Sequence, residues 1–167
     1  MSRYRPPAPP KSPYITHEGW QALHREQQDL WQRRREVVRH LAAAAAEGDR
    51  SENAEYIYRK KQLREMDRRI RYLQKRLPQL KVVEGPPDGG DQVFFGAWVT
   101  LEADDGSETR YRIVGADEFD PKRNWISIDS PMARALLKRR ADETVSVETP
   151  AGLVELLILE ISYQAGD

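Results

Sequence analysis

Gly48-Asp49-Arg50-Ser51-Glu52-Asn53 is a short acidic interruption between two long runs of helical periodicity, and its reading decides the fold. In the run that follows it, Tyr56, Leu63, Met66, Ile70, Leu73, Leu77 and Leu80 step mostly by alternating threes and fours, the seam of a coiled coil. The run before it repeats those steps through Trp20, Leu23, Gln27, Leu30, Arg34, Val37 and Leu41, with two polar interruptions. If the chain folds back near position 50, paired seam residues must have numbers that add to a constant. Trp20 with Leu80, Leu23 with Leu77, Gln27 with Leu73, Leu30 with Ile70, Arg34 with Met66 and Val37 with Leu63 all add to 100. One register satisfies both arms, so the spacing predicts an antiparallel helical hairpin with the acidic stretch at its tip. Each arm of about 30 residues reaches roughly 45 Å at 1.5 Å per residue. A tip carried that far is not buried in the chain's own domain.

A chain of 167 residues has room for such a hairpin plus one small globular unit. Cysteine is absent, which removes disulfides and thiolate metal sites. There is no N-terminal apolar h-region, and apolar runs such as 156–159 are far too short to span a bilayer. The expectation is a soluble cytoplasmic protein without a membrane partner. The net charge of zero conceals segregation: residues 1–15 carry +3, 16–80 carry +5, and 81–167 carry −8. This asymmetry points to polyanion contact by the hairpin and a different partner for the acidic part.

Residues 1–13 hold five prolines with Arg3, Arg5 and Lys11, and read as a disordered or polyproline-like extension. The hairpin is expected over 14–81. Thr16 is the candidate N-cap, with Glu18 complementing the helix dipole, and the first helix is expected to run to Glu47 with Gly48 as its C′ residue. The second helix is expected from Ser51 or Glu52. It is densely basic, with Arg59, Lys60, Lys61, Arg64, Arg68 and Arg71 as the candidate nucleic-acid patch and only Glu65 and Asp67 to balance the run from Arg59 to Arg76. A solvated face is the plain reading of such charge. The missing i,i+4 acids favour an RNA or DNA backbone held by phosphate contacts. Tyr56 reads as packed against Ala44.

Pro78 and the Gly/Pro-rich run 85–90 mark a boundary, with a linker over 82–92 and a C-terminal domain over 93–167. Candidate strands are 93–103, 109–114, 125–128, 143–149 and 153–163, with Asp104-Asp105-Gly106 and Pro150-Ala151-Gly152 as turns. Ser130 and Pro131 start a helix expected to reach about Arg140. The fold class is therefore α+β: a coiled-coil hairpin followed by a small antiparallel sheet with one helix.

At the tip, Asp49 and Glu52 have capping-box spacing, which by itself reads first as a helix cap; they are also a candidate pair of metal ligands, since only one carboxylate oxygen need face the backbone. Magnesium is often held by one or two protein carboxylates plus substrate oxygens, so this pair is half of a metal site at most. Nothing else completes it. His17, His24 and His40 lie on the first helix, and His17-Glu18-Gly19-Trp20-Gln21 fails the zinc pattern at its fifth position. Any chemistry must be finished by a partner.

The tip through Ala54-Glu55-Tyr56, the later Lys60-Lys61 and 67–73, the stretch 93–99, and Ile126-Ser127-Ile128-Asp129-Ser130-Pro131-Met132-Ala133-Arg134 together resemble the Gre family of bacterial transcript cleavage factors. The resemblance covers essentially residues 14–163 and shows no departure at the tip. It implies a coiled coil that enters the secondary channel of RNA polymerase and a C-terminal domain similar to FK506-binding proteins that docks at the channel rim. Asp49 and Glu52 would be the catalytic, Mg2+-holding pair acting within the polymerase active centre, so the chain is not itself an enzyme. The polymerase would then hydrolyse the 3′ RNA of a backtracked complex and resume elongation. The resemblance also implies that Asp129, Ser130 and Pro131 form the docking loop, that the basic face meets the nascent RNA 3′ end, and that the factor acts as a monomer. The rival reading is a non-catalytic coiled-coil module that binds polymerase and modulates it without cleavage; a prolyl isomerase reading rests on fold alone.

Overall fold

The computed structural model describes residues 4, 6–48, 52–86 and 89–164. Two compact units emerge, one formed by residues 20–80 and the other by 1–19 with 81–167. The second boundary differs from the expectation at the N-terminus, where residues 14–19 group with the sheet domain and not with the hairpin.

The sheet unit begins with β1 (Tyr14–Ile15), after which the chain enters α1 (His17–Ala46). Thr16 is the N-cap, its Oγ1 accepting from the Gly19 N–H at 3.1 Å. In the hairpin unit, α1 returns as α2 (Ala54–Arg76), extended by a single 3-10 turn over Leu77–Gln79. Leu23, Leu30, Val37 and Ala44 are buried at heptad spacing on α1, as are Met66, Ile70 and Leu73 of α2 and Leu77 of the 3-10 turn that follows it. Trp20, Gln27, Arg34 and Leu41, the intervening seam positions, are half-buried. Two ion pairs clasp the arms on either side of Leu30: Arg69 grips Glu26 through Nε and Nη2 at 2.7 and 2.9 Å, and Arg34 Nε meets Asp67 at 2.7 Å. Arg34 thus bonds one residue from its expected seam partner, Met66. The bonded Asp67 carboxylate favours the charged guanidinium and holds the Arg34 pKa above its ordinary value, burial opposing it.

In the sheet unit, β2 (Lys81–Val82) pairs in parallel with β1, a ladder too short for sequence patterning to reveal. A five-stranded sheet follows from β3 (Trp98–Ala103), β4 (Glu108–Val114), β5 (Trp125–Ser127), β6 (Thr144–Thr149) and β7 (Gly152–Ser162) in the order β5-β4-β3-β7-β6. The all-antiparallel expectation needs correcting. β5 pairs with β4 in parallel, because the segment between them crosses over through two 3-10 turns and does not form a hairpin. β3 starts at Trp98, later than expected, since Gly96 at φ +86° turns the chain and its N–H goes to Ile113 O. A bulge between Thr100 and Leu101 interrupts the β3–β7 ladder.

One face of the sheet buries Val99, Leu101, Ile113, Val145, Val147 and Ile158 against Ala133 and Leu136 of α3 (Pro131–Leu136). Each such aliphatic side chain contributes about 1.5–3 kcal/mol on burial. The helix ends well before the expected Arg140. Lys138 adopts φ +69°, and its N–H and the Arg139 carbonyl are taken by Val93 O and N at 2.7 and 2.8 Å, so the backbone leaves the helix to pair with 93.

Behind the sheet, Glu118 is a buried carboxylate that accepts from Thr16 N at 3.0 Å, from Gly115 N at 2.7 Å and from the Thr16 hydroxyl. A Cβ on Gly19 would collide with its Oε1, so only glycine admits this approach. Glu118 had no sequence signal beyond being an acid in a short turn.

Candidate functional site

Among the described residues, the tip is held by Asn53. Asn53 is the N-cap of α2: its Oδ1 accepts from the Tyr56 N–H at 3.1 Å, and its Nδ2 donates to Ala44 O on α1 at 2.8 Å. One amide therefore caps the second helix and ties it to the last turn of the first. This corrects the capping-box reading, which set the start of α2 at Ser51 or Glu52, two or three residues early. Asparagine ranks with aspartate as an N-cap, but only its amide also carries a donor for the facing carbonyl. Glu52 precedes the cap, is exposed, and has no bonding partner among the described residues. Gly48 closes α1 at φ +123°. Asp49 lies outside the described residues.

A magnesium ion fits a donor set of this kind only in part. Among the described residues no group of three or more His, Cys, Asp or Glu could hold a metal. Glu52 offers one exposed carboxylate, the donor chemistry expected of half a site.

The basic face of α2 divides into arginines with partners and arginines without. Arg59 is engaged by Glu55 at 2.8 Å and Gln62 at 3.0 Å, and lies over the Tyr58 ring; Arg69 is spent on Glu26. Lys60 sits 5.8 Å from the Tyr56 ring. Arg64, Arg68 and Arg71, one helical face by their spacing, are exposed and unpaired among the described residues, as is Lys61. Tyr56, expected to pack against Ala44, is half-buried, and Tyr58 is exposed.

In the sheet unit, Ser130 Oγ caps α3 by accepting from Ala133 N at 3.2 Å, and Pro131 takes the first helical position, as expected. The Asp129 carboxylate is already engaged: it accepts from Ser12 N at 2.9 Å and from the Ser12 hydroxyl. Pro13 O in turn accepts from Lys81 N at 2.8 Å. Residues 12–13, expected within a disordered extension, are therefore bonded to the sheet domain. An acidic loop residue and a serine near the chain start gave no hint of that pairing.

Two family profiles match in series: transcription elongation factor, N-terminal, over residues 13–82, and transcription elongation factor GreA/GreB, C-terminal, over residues 87–163. The GreB transcription elongation factor of Xanthomonas axonopodis pv. citri is 59% identical over 165 residues, 98% of either chain. The chain belongs to the GreA/GreB family. The GreB factor of Pasteurella multocida is 57% identical over 155 residues, covering 92% of this GreA/GreB chain and 98% of that one. Among solved structures, Gfh1 of Thermus thermophilus is similar at 24% identity and a TM-score of 0.41, covering 89% of this chain and 97% of that one. The match of both family profiles to a helical hairpin followed by a mixed-sheet domain makes this chain a transcription elongation factor with the α+β architecture of its family. No helix among the described residues is long and apolar enough to cross a membrane.

Proposed function

We propose that this factor inserts its hairpin into the secondary channel of RNA polymerase and lends Asp49 and Glu52 to the polymerase active centre, where the 3′ RNA of a backtracked complex is cleaved. The observation that carries the reading is the division of labour at the tip. Asn53 does the capping, so the Glu52 carboxylate is not consumed in holding the helix. A carboxylate displayed without a structural duty, at the end of an arm whose Arg64, Arg68 and Arg71 have no acidic partner among the described residues, suits a task completed by another molecule.

In this mechanism the chain is an activator and not an enzyme. Asp49 and Glu52 would hold a Mg2+ ion jointly with polymerase carboxylates, and that ion would supply charge neutralisation and a water of lowered pKa. Hydrolysis of the backtracked phosphodiester with that ion held by Asp49 and Glu52 would break the bond to the upstream 3′ oxygen and leave it as the new 3′-hydroxyl. The released fragment carries the 5′-phosphate. The rigid hairpin contributes positioning, which is worth several kcal/mol when reacting groups are held in line. Arg64, Arg68 and Arg71 hold the extruded RNA by its phosphates, and the loop Asp129-Ser130-Pro131 docks at the channel rim.

The test is fragment release from a stalled, backtracked elongation complex. Wild type should stimulate release, and Asp49→Ala and Glu52→Ala should each abolish stimulation while competing for polymerase as well as wild type does. Stimulation that survives both substitutions would leave the non-catalytic binding module as the correct reading. Loss of polymerase competition along with cleavage would make the tip a docking element.

A further inference from the structure

The groove beside Leu30 and Ile70 of the hairpin sets an exposed aromatic side chain, which the proposed cleavage role does not use, among the arginines that it does. An open concavity of about 590 Å3 is lined by Trp31 and Arg34 from α1 and by Arg64, Asp67, Arg68 and Arg71 from α2. Its volume falls in the range of ligand-sized pockets. Trp31 follows the inward-facing Leu30 and is 41% exposed, where most tryptophans are largely buried. The Arg34 guanidinium lies 5.9 Å from the Trp31 ring centroid and is fixed there by Asp67 at 2.7 Å. The other three arginines have no carboxylate partner among the described residues. The cationic lining thus outweighs its single acid, and one flat aromatic surface stands among the charges.

We propose that Trp31 is a stacking platform for an unpaired base of single-stranded RNA, with Arg64, Arg68 and Arg71 taking the flanking phosphates. Aromatic faces interleaved with a basic track are the physical means of binding single strands without sequence preference, because every base has a π-face. Duplex RNA is disfavoured, since its bases are not free to stack on a side chain. Arg34, already clamped by Asp67, orients the indole and completes the wall. The inference deepens the RNA-contacting part of the proposed function and rests on it, but it concerns binding alone and is tested without cleavage.

The experiment measures binding of the full chain to a fluorescently labelled single-stranded RNA oligonucleotide, and to the same sugar-phosphate strand made abasic at its central positions. Wild type, Trp31→Ala, Trp31→Phe and Arg68→Glu are compared across a salt series. Circular dichroism checks that each keeps its helix. Loss of one stacked base predicts that Trp31→Ala binds roughly 5- to 150-fold more weakly. Trp31→Phe should recover much of that loss, and the abasic strand should bind wild type and Trp31→Ala alike. The salt slope should be unchanged in Trp31→Ala and shallower in Arg68→Glu. Several results would overturn the proposal: wild type that does not bind the oligonucleotide at low salt, Trp31→Ala that binds normally, or an equal loss on the abasic strand. A Trp31→Ala defect seen only as weaker binding to RNA-free polymerase would also overturn it and make the indole a protein contact. A chain that stacks RNA through Trp31 yet stimulates no cleavage would refute the proposed function and leave this inference standing.

Discussion

Replacing Asn53 by alanine should loosen the hairpin tip without unfolding the hairpin. The substitution removes the Oδ1 acceptor that caps the Tyr56 N–H and the Nδ2 donor that reaches Ala44 O. Loss of a good N-cap costs about 1 kcal/mol. Loss of the cross-arm bond costs about 1 kcal/mol more, moderated because Ala44 O also accepts from Glu47 N at 3.2 Å. Together, about 2 kcal/mol raises the local opening equilibrium roughly thirtyfold. Opening of this kind is local, since the buried Ile70 and Leu73 lie several turns away. Amide hydrogen exchange should therefore quicken by about that factor at Tyr56 and its neighbours, and stay at the wild-type rate around Leu73. Asn53→Asp separates the two duties. It keeps an acceptor at the cap and adds a charge that the helix N-terminus favours, but it cannot donate to Ala44 O. Its α2 amides should stay protected while the Glu47 amide exchanges faster. Both variants should stimulate RNA cleavage less than wild type while competing equally for polymerase. Unchanged exchange at Tyr56 in Asn53→Ala, or identical behaviour of the two variants, would refute the assignment of Asn53 as cap and clasp.

Glu118→Ala strands three donors beside Thr16 and Gly115. It should cost on the order of 3 kcal/mol and lower the melting temperature of the sheet domain by about 10 °C, measured by scanning calorimetry. Burial raises the Tyr163 hydroxyl above its ordinary pKa of 10, the Phe94 N–H opposing the shift and the Asp91 charge adding to it. The folded state thereby favours the neutral phenol, a stabilisation complete below pH 10 and lost as pH rises through the higher folded value. Urea midpoints should fall less steeply above about pH 10 in Tyr163→Phe than in wild type, even though the variant is weaker at neutral pH by about 1 kcal/mol. Parallel alkaline limbs would contradict this. Reversing Arg64, Arg68 and Arg71 to glutamate should flatten the log-log salt dependence of RNA binding by about two units, at roughly 0.7 per lost phosphate contact. An unchanged slope would remove RNA from that face.

The hairpin was legible because a seam is a repeated signal. About fifteen helical turns across the two arms carry the same apolar spacing, and the constant-sum register is set by their agreement. The tip was less legible because its deciding bond, Asn53 to Ala44 O, joins residues that only the fold brings together. Capping preferences rank Asp and Asn alike, so the Asp49 to Glu52 spacing drew the helix start too early. Trp31 sits one residue off the seam, and an exposed aromatic at that position was a signal available in the sequence. In the sheet domain, strand positions followed from alternation, but the parallel β4–β5 pairing and the Ser12–Asp129 bond depend on partners 117 residues apart or on a crossover, which local pattern cannot specify.

The measurement that bears most directly on the borrowed-carboxylate account is the Mg2+ concentration giving half-maximal fragment release from a backtracked elongation complex, with wild type, with Asp49→Ala/Glu52→Ala, and with no factor. The account predicts that wild type lowers the Mg2+ requirement and that the double variant, still bound to polymerase, matches the complex without factor. A double variant that lowers the requirement as far as wild type would contradict it and reduce the acidic tip to a helix terminus.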